Sequence, residues 1–235
     1  MIDIIKEYYP LFLKGVSITL LLAVVGTLGG FIIALFLANA RMITIDKKRD
    51  NLFAKICKYT LKWFASIYIN VFRGTPMIVQ AMILYYGINM IVRLSWWTPI
   101  NAGLIIVTLN TAAYIAEILR GNVNATDIGQ MEAARSLGFS KRQAMFLIIY
   151  PQAIKNALPS IGNEFIVNLK DTAVLSVIGV LDLFNATRQV VGATYDTVTP
   201  FVITALIYLV LTGLTSILIS KLEKHQKDKR ELKHA

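Results

Sequence analysis

Five stretches of mostly apolar residues, each separated from the next by polar or basic segments, constrain this chain more than anything else in it. About 20 such residues in a helix cross the hydrocarbon of a bilayer, and only a helix or a closed barrel satisfies every backbone polar group there without water. The first stretch runs from about Val16 to Ala40. The second begins near Trp63, is interrupted at Gly74-Thr75-Pro76, and has its spanning part at roughly Met77 to Val92, with a backward extension past the interruption left open. The third covers about Ile100 to Leu119, the fourth about Leu158 to Val180 with polar residues inside it, and the fifth about Pro200 to Ser220. The pattern predicts an all-α integral membrane protein with five transmembrane helices in a single domain, residues 1–235. Met1 to Lys14 mixes Asp3, Lys6, Glu7 and Lys14 rather than presenting a clean basic start, so the first stretch reads as a membrane helix and not as a cleaved signal.

Charge supports that reading. Only 16% of the residues are charged, against about a quarter in soluble domains, and the mean hydropathy is +0.60. The net charge of +10 would suggest nucleic acid in a soluble protein. Here the cations fall in blocks, as they do on the cytoplasmic side of membrane proteins. One block holds Arg41, Lys47, Lys48, Arg49, Lys55, Lys58 and Lys62. A second holds Arg120, Arg135, Lys141, Arg142 and Lys155, and a basic tail over 221–235 supplies a third. The opposite loops hold Arg93, beside the interfacial pair Trp96 and Trp97, and Arg188. The expected orientation has the N-terminus outside and the C-terminus in the cytoplasm, with lipid and not nucleic acid as the surroundings.

Several chemistries find no residues to carry them. Cys57 is the lone cysteine, which excludes an intramolecular disulfide. His225 and His234 lie in the charged tail with no second ligand at metal-binding spacing, so no metal site is expected. There is no G-x-x-x-x-G-K-[ST] phosphate cradle, no G-x-S-x-G elbow and no H-E-x-x-H helix. No catalytic residue and no cofactor on this chain are expected, and a chain driven by ATP would need a partner to hydrolyse it.

The stretch 121–156 is too polar to span and too regular to be a linker. Met131 to Ser136 reads as a short helix, Gly138 as a turn, Lys141 to Ile149 as a second helix, and Pro151 as the opening of the next element. Such a helix pair on the cytoplasmic face suits docking of a soluble partner. Leu52, Ile56, Tyr59 and Trp63 sit at helical spacing among Lys55, Lys58 and Lys62, which fits either an amphipathic helix on the membrane surface or the entry to the second span. Gly26, Gly30, Ala34 and Ala38 recur every four residues on the first helix and read as a close-packing face.

Glu132-Ala133-Ala134, then Gly138, Ile148 and Pro151, resembles the loop signature of ABC importer permeases, with Tyr150 standing where the general pattern has Leu. Arg73-Gly74-Thr75-Pro76 with Gln80, Tyr114-Ile115-Ala116-Glu117, Pro151-Gln152-Ala153, Gly162-Asn163-Glu164-Phe165-Ile166 and Lys170-Asp171-Thr172 are similar to segments of the polar amino acid branch of that family. The resemblance covers most of the chain. It implies the MetI-like ABC permease fold, a permease subunit in a bacterial inner membrane, and a coupling helix formed around Glu132, Ala133, Ala134, Arg135 and Gly138. It also implies a pair of ABC ATPase subunits that bind ATP and Mg, an extracellular or periplasmic amino acid-binding protein, and a second permease subunit, identical or not.

Two polar stripes are candidates for the substrate path. Glu164, Asn168 and Asp171 share one face of the fourth stretch, and Asn110, Tyr114 and Glu117 share one face of the third. Ionisable groups inside a span usually face a bundle interior or a wet cavity. Glu164 and Asp171 could hold an ammonium or guanidinium group, while Asn168, Asn110, Tyr114 and Gln80 could hydrogen-bond the remainder. For Glu164 and Asp171 a buried polar network holding the helices in register stands equally open. Glu117, three residues before Arg120, reads better as a structural ion pair. Two acids in the path favour basic or neutral amino acids such as arginine, glutamine or histidine. The alternative function is a stand-alone ion-coupled amino acid carrier, against which the absence of a second copy of any segment counts.

Overall fold

The structure is a computed structural model that describes residues 1–46 and 50–234, with side chains described as far as Lys224. Lys47, Lys48 and Arg49, and the side chains of the tail from His225 onward, lie outside the described residues. Helices account for nearly all the regular structure, and no strand occurs among the described residues. Helix α1 covers Ile2–Arg41, α2 Leu52–Gly74, α3 Met77–Ile91 and α4 Pro99–Asn124. The short α5, Ile128–Ser136, and α6, Lys141–Ala144, follow. A π-helical turn over Met145–Ile149 then leads into α7, Tyr150–Asp171, which tightens into a 3-10 turn over Thr172–Ile178. Helices α8, Leu183–Thr194, and α9, Val198–His234, complete the chain.

The pair α1 and α4 forms the centre, and its closeness follows from small residues. A Cβ on Gly26 would lie 2.1 Å from Val107 Cγ1, and one on Gly30 would lie 3.0 Å from Thr111 Cβ. The glycine row expected to be a packing face is therefore where α4 seats. Around it, Ala34, Leu37 and Ala38 of α1 pack with Ala65 and Ile69 of α2 and with Ala112, Ile115 and Ala116 of α4. Leu22, Ile106, Val107, Leu175 and Val180 form a second cluster. Phe12, Leu183, Val190 and Ile203 form a third at the other end.

Three helices are each long and apolar enough to cross a membrane: α1, α4 and α9. The second apolar stretch, expected at Met77 to Val92 or extended backwards toward Trp63, is made of two helices, α2 and α3, that meet at a 110° bend. Pro76 has no N–H to continue the ladder and is the N-cap of α3, so the turn falls at Thr75-Pro76. Leu52, Ile56, Tyr59 and Trp63 belong to α2 itself rather than to a separate helix. The polar start of the chain also belongs to a helix, because Phe12 is buried against α8 and α9, with Tyr8 and Leu11 packed beside it. Arg188, assigned to a loop, sits on α8, whose N-terminus Asp182 caps by accepting from the backbone N–H of Asn185 at 3.1 Å and Phe184 at 3.2 Å.

Candidate functional site: a polar seam and an outward-facing helix pair

The polar seam begins at the α2–α3 bend. Gln80, buried, donates from Nε2 to the carbonyls of Phe72 and Thr75 and to Thr75 Oγ1, each at 2.9 Å. Asn110 of α4 donates to Gln80 Oε1 at 2.9 Å. These bonds satisfy backbone carbonyls that the break leaves without helical partners, so Gln80 and Asn110 fix the shape of the bend. Asn168 is buried too. It accepts from Thr111 Oγ1 at 3.1 Å and donates to Thr27 Oγ1 at 3.0 Å, tying α7 to α4 and α1.

Charges gather one turn further along. Arg41 donates to Glu117 Oε2 at 2.5 Å, Arg120 grips the other oxygen of Glu117, and Arg73 Nη1 stands 3.9 Å away. The expected structural pairing of Glu117 with Arg120 is thus present, and two further guanidinium groups join it. One carboxylate faces three cations, leaving the group with an excess of positive charge. Arg73 is the most open of the three, with 41% of its side chain exposed, and its guanidinium lies over the Tyr114 ring at 5.6 Å. The charges of Asp171 and Arg73 both act on Glu164, which is half-buried, while Asp171 is exposed. The structure therefore brings Glu164, Asp171, Tyr114 and Arg73 to one region and gives Gln80, Asn110 and Asn168 hydrogen-bond partners within the bundle. In the sequence Arg73 stands out only as part of the Arg73-Gly74-Thr75-Pro76 motif. Its place at the last turn of α2, directly before the proline break, is the signal that marks it.

The helix pair between α4 and α7 turns outward. Asp127 caps α5 by accepting from the Gly129 N–H at 2.8 Å. The helix ends at Gly138, whose φ of +87° only glycine adopts readily. Phe139 N–H then reaches Ala134 O at 3.1 Å and Gly138 N–H reaches Arg135 O at 3.0 Å, the paired bonds of a Schellman stop. Ala134 packs inward, whereas Glu132, Ala133 and Arg135 are exposed. Ile128 and Leu137, 74% and 77% exposed at the two ends of α5, extend that face with apolar surface, which no spacing pattern in the sequence marks. The second helix starts at Ser140, which forms a capping box with Gln143. It runs on through the π turn into α7, so a displacement of the pair is carried into α7 without a loop between them.

The chain matches known proteins along most of its length. Residues 52–228 match the family of binding-protein-dependent transport system inner membrane components. The arginine transport system permease protein ArtQ of Bacillus subtilis (strain 168) is 34% identical over 93% of this chain and 93% of its own length. The arginine ABC transporter permease protein ArtM of Haemophilus influenzae is 34% identical, again with 93% of each chain covered. A crystal structure of an amino acid ABC transporter with histidines superposes with a TM-score of 0.83 at 39% identity, covering 94% of this chain and 96% of that one. The methionine ABC transporter MetNI, in an inward-facing form, shares the fold at a TM-score of 0.76 and 20% identity. By its matched residues and its helical architecture, the chain belongs to the family of binding-protein-dependent transport system inner membrane components.

Proposed function

We propose that this chain is the membrane-spanning permease subunit of an ATP-driven importer for polar amino acids, basic or neutral ones in preference to acidic ones. The observation that carries this reading is the outward-facing α5, held by a rigid stop at Gly138 and paired with α6, which runs without a loop into the helix that bears Glu164 and Asp171. A pair of ATPase subunits, with their ATP and Mg, docks on the face made by Glu132, Ala133, Arg135, Ile128 and Leu137, and Ala134 and Gly138 fix its shape. When the ATPases close, their movement passes through α6 and the π turn into α7 and opens or closes the path.

In this reading α1, the broken α2–α3 unit, α4, α7 and α9 give five crossings, with the N-terminus outside and the basic end in the cytoplasm. A binding protein delivers the amino acid from outside, and a second permease subunit completes the path. Glu164 and Asp171 meet the ammonium or guanidinium group of the substrate. Arg73, with Glu117 already held by Arg41 and Arg120, takes the α-carboxylate. Tyr114 forms the wall between them. Gln80, Asn110 and Asn168, the other expected contacts, support this group by fixing the bend and the helix register. The named cargoes of ArtQ and ArtM and the histidines of the structural relative fit a site with two carboxylates.

Affinity purification from the native membrane tests the reading. An ATPase subunit is expected to accompany the native chain and to be lost when Glu132→Arg and Gly138→Arg are combined. Recovery of an intact chain without any ATPase, even after crosslinking, would overturn it. The substrate assignment fails separately if the reconstituted complex takes up glutamate with high affinity and none of arginine, glutamine or histidine.

A further inference from the structure

Beside the helix pair the structure has a groove that the transport reading leaves unused. It holds about 840 Å³ between the end of α1, the first half of α2, and α6 with its π turn. Phe36, Leu37, Leu61, Phe64, Met145 and Phe146 make it apolar. Lys58, Lys141 and Arg142 stand among its lining residues, and among the described residues no carboxylate does. Lys58 is held by Asp50 at 2.6 Å. Among the described residues, Lys141 and Arg142 pair with no carboxylate, although both are exposed. Arg142 lies over the Phe146 ring at 5.8 Å, so one guanidinium bridges the basic rim and the apolar floor. A second apolar cavity of about 560 Å³ shares the wall formed by Asn39, Met42, Phe146 and Tyr150. That wall is pinned by the Tyr150 hydroxyl, which donates to Asn39 Oδ1 at 2.6 Å. Tyr150 is the one residue that departs from the loop signature, and a leucine there could not make this bond.

We infer that the groove is a binding site for an anionic phospholipid, with the headgroup phosphate on Lys141 and Arg142 and the acyl chains in the two apolar channels beside the Tyr150–Asn39 wall. The inference rests on the membrane-spanning reading but not on which substrate is carried. The groove lies where α1 leaves the membrane near Arg41. Its outer residues Phe36 and Phe64 are exposed at 72% and 60% and are continuous with the lipid-facing sides of α1 and α2. Unpaired cations above an apolar slot at that level match the chemistry of an anionic headgroup on two chains. A water-soluble phosphate would use the rim and leave the slot empty. A neutral lipid would use the slot and leave the rim unpaired.

The test is native mass spectrometry of the complex purified in mild detergent. The complex is incubated with phosphatidylglycerol or phosphatidylcholine of identical chains. Preferential retention of phosphatidylglycerol is expected. A cation beside an anionic headgroup contributes a factor of about five, so the double variant K141Q/R142Q should lower retention roughly twentyfold. K221Q/K224Q, whose side chains do not line the groove, should leave it unchanged. Equal retention of the two lipids overturns the proposal, as does undiminished retention by K141Q/R142Q. Displacement of the lipid by millimolar glycerol phosphate would overturn it in favour of a soluble anion. A crosslink from Phe64→Cys to a second copy of the chain, with no lipid retained, would overturn it in favour of a protein interface. Binding of the ATPase subunit, followed on the same preparations, keeps failure of this site distinct from failure of the transport reading.

Discussion

At the level of single residues, the polar groups in this bundle divide by whether they have partners. Asn168 has two, both threonine hydroxyls, so Asn168→Ala removes two interhelical hydrogen bonds. Such bonds between membrane helices average about 0.6 kcal/mol each, so a loss of about 1 kcal/mol is expected, read as a modest fall in the melting temperature of the detergent-solubilised complex. Glu117 is different because three guanidinium groups converge on it. Glu117→Gln leaves Arg41, Arg73 and Arg120 facing one another without a counter-charge. The expected cost is about 2 kcal/mol, between the values for exposed and buried pairs because all four side chains retain some exposure. Restoration of stability by a second change, Arg41→Gln, would identify repulsion as the cause. Glu164 has no such satisfied role, and Glu164→Gln is expected to reduce uptake of a basic amino acid at least tenfold through loss of a charge-assisted contact. Unaltered uptake, with the ATPase still bound, would remove Glu164 from the substrate path. The sequence made the polar stripes legible because residues three and four apart share a helix face. It could not separate Asn168 from Glu164, since the threonines that satisfy Asn168 come from two other helices.

At the level of helices, the legible parts were those set by local chemistry. The α5 stop at Gly138, the apolar runs of α1, α4 and α9, and the glycine row on α1 all follow from residue type and spacing alone. The parts that escaped depend on distant contacts. The first turns of α1 look too polar for a span, yet they stay helical because Phe12 packs on α8 and α9. The 110° bend needs Asn110, thirty residues past Gln80, to complete its hydrogen bonds. The π turn over Met145–Ile149 has no residue pattern that announces it. Two glycines separate packing from backbone effects. A side chain at Gly26 meets Val107 at once, so Gly26→Leu should force α1 from α4 and greatly lower the yield of folded protein. Gly213→Leu, with nothing within 4 Å, should not. At Gly138 nothing stands within 4 Å either, so Gly138→Ala acts through φ alone and should cost about 1 kcal/mol. The expected readout is weaker ATPase binding with unchanged helical content by circular dichroism.

For the whole molecule, direction through the membrane follows from the placement of its cations, and the chain carries its own probe. Cys57 is the one cysteine, and it is exposed on α2. It lies among Lys55, Lys58 and Lys62, in the block that should stay in the cytoplasm because translocating a cluster of cations across the bilayer is disfavoured. In intact cells, a maleimide that cannot cross the membrane should therefore leave Cys57 unmodified, and permeabilising the inner membrane should render it reactive. The opposite end of the bundle supplies the reference. Val198, 71% exposed at the start of α9, follows α8 after a short turn, so Val198→Cys in a Cys57→Ser background should react before permeabilisation. Both results follow only if an odd number of crossings separates Cys57 from Val198. Between them stand the broken α2–α3 unit, α4 and α7, and α7 carries Lys155, Glu164, Lys170 and Asp171 and is not among the helices apolar enough to span alone. With the α2–α3 unit and α4 each crossing once, the pair of labelling reactions decides whether α7 counts as a crossing sheltered by its neighbours. Reaction at both sites from outside would mean that α7 returns to the side it left. The charges of α5 and α6 would then have to be reassigned to the other face, and the docking surface with them.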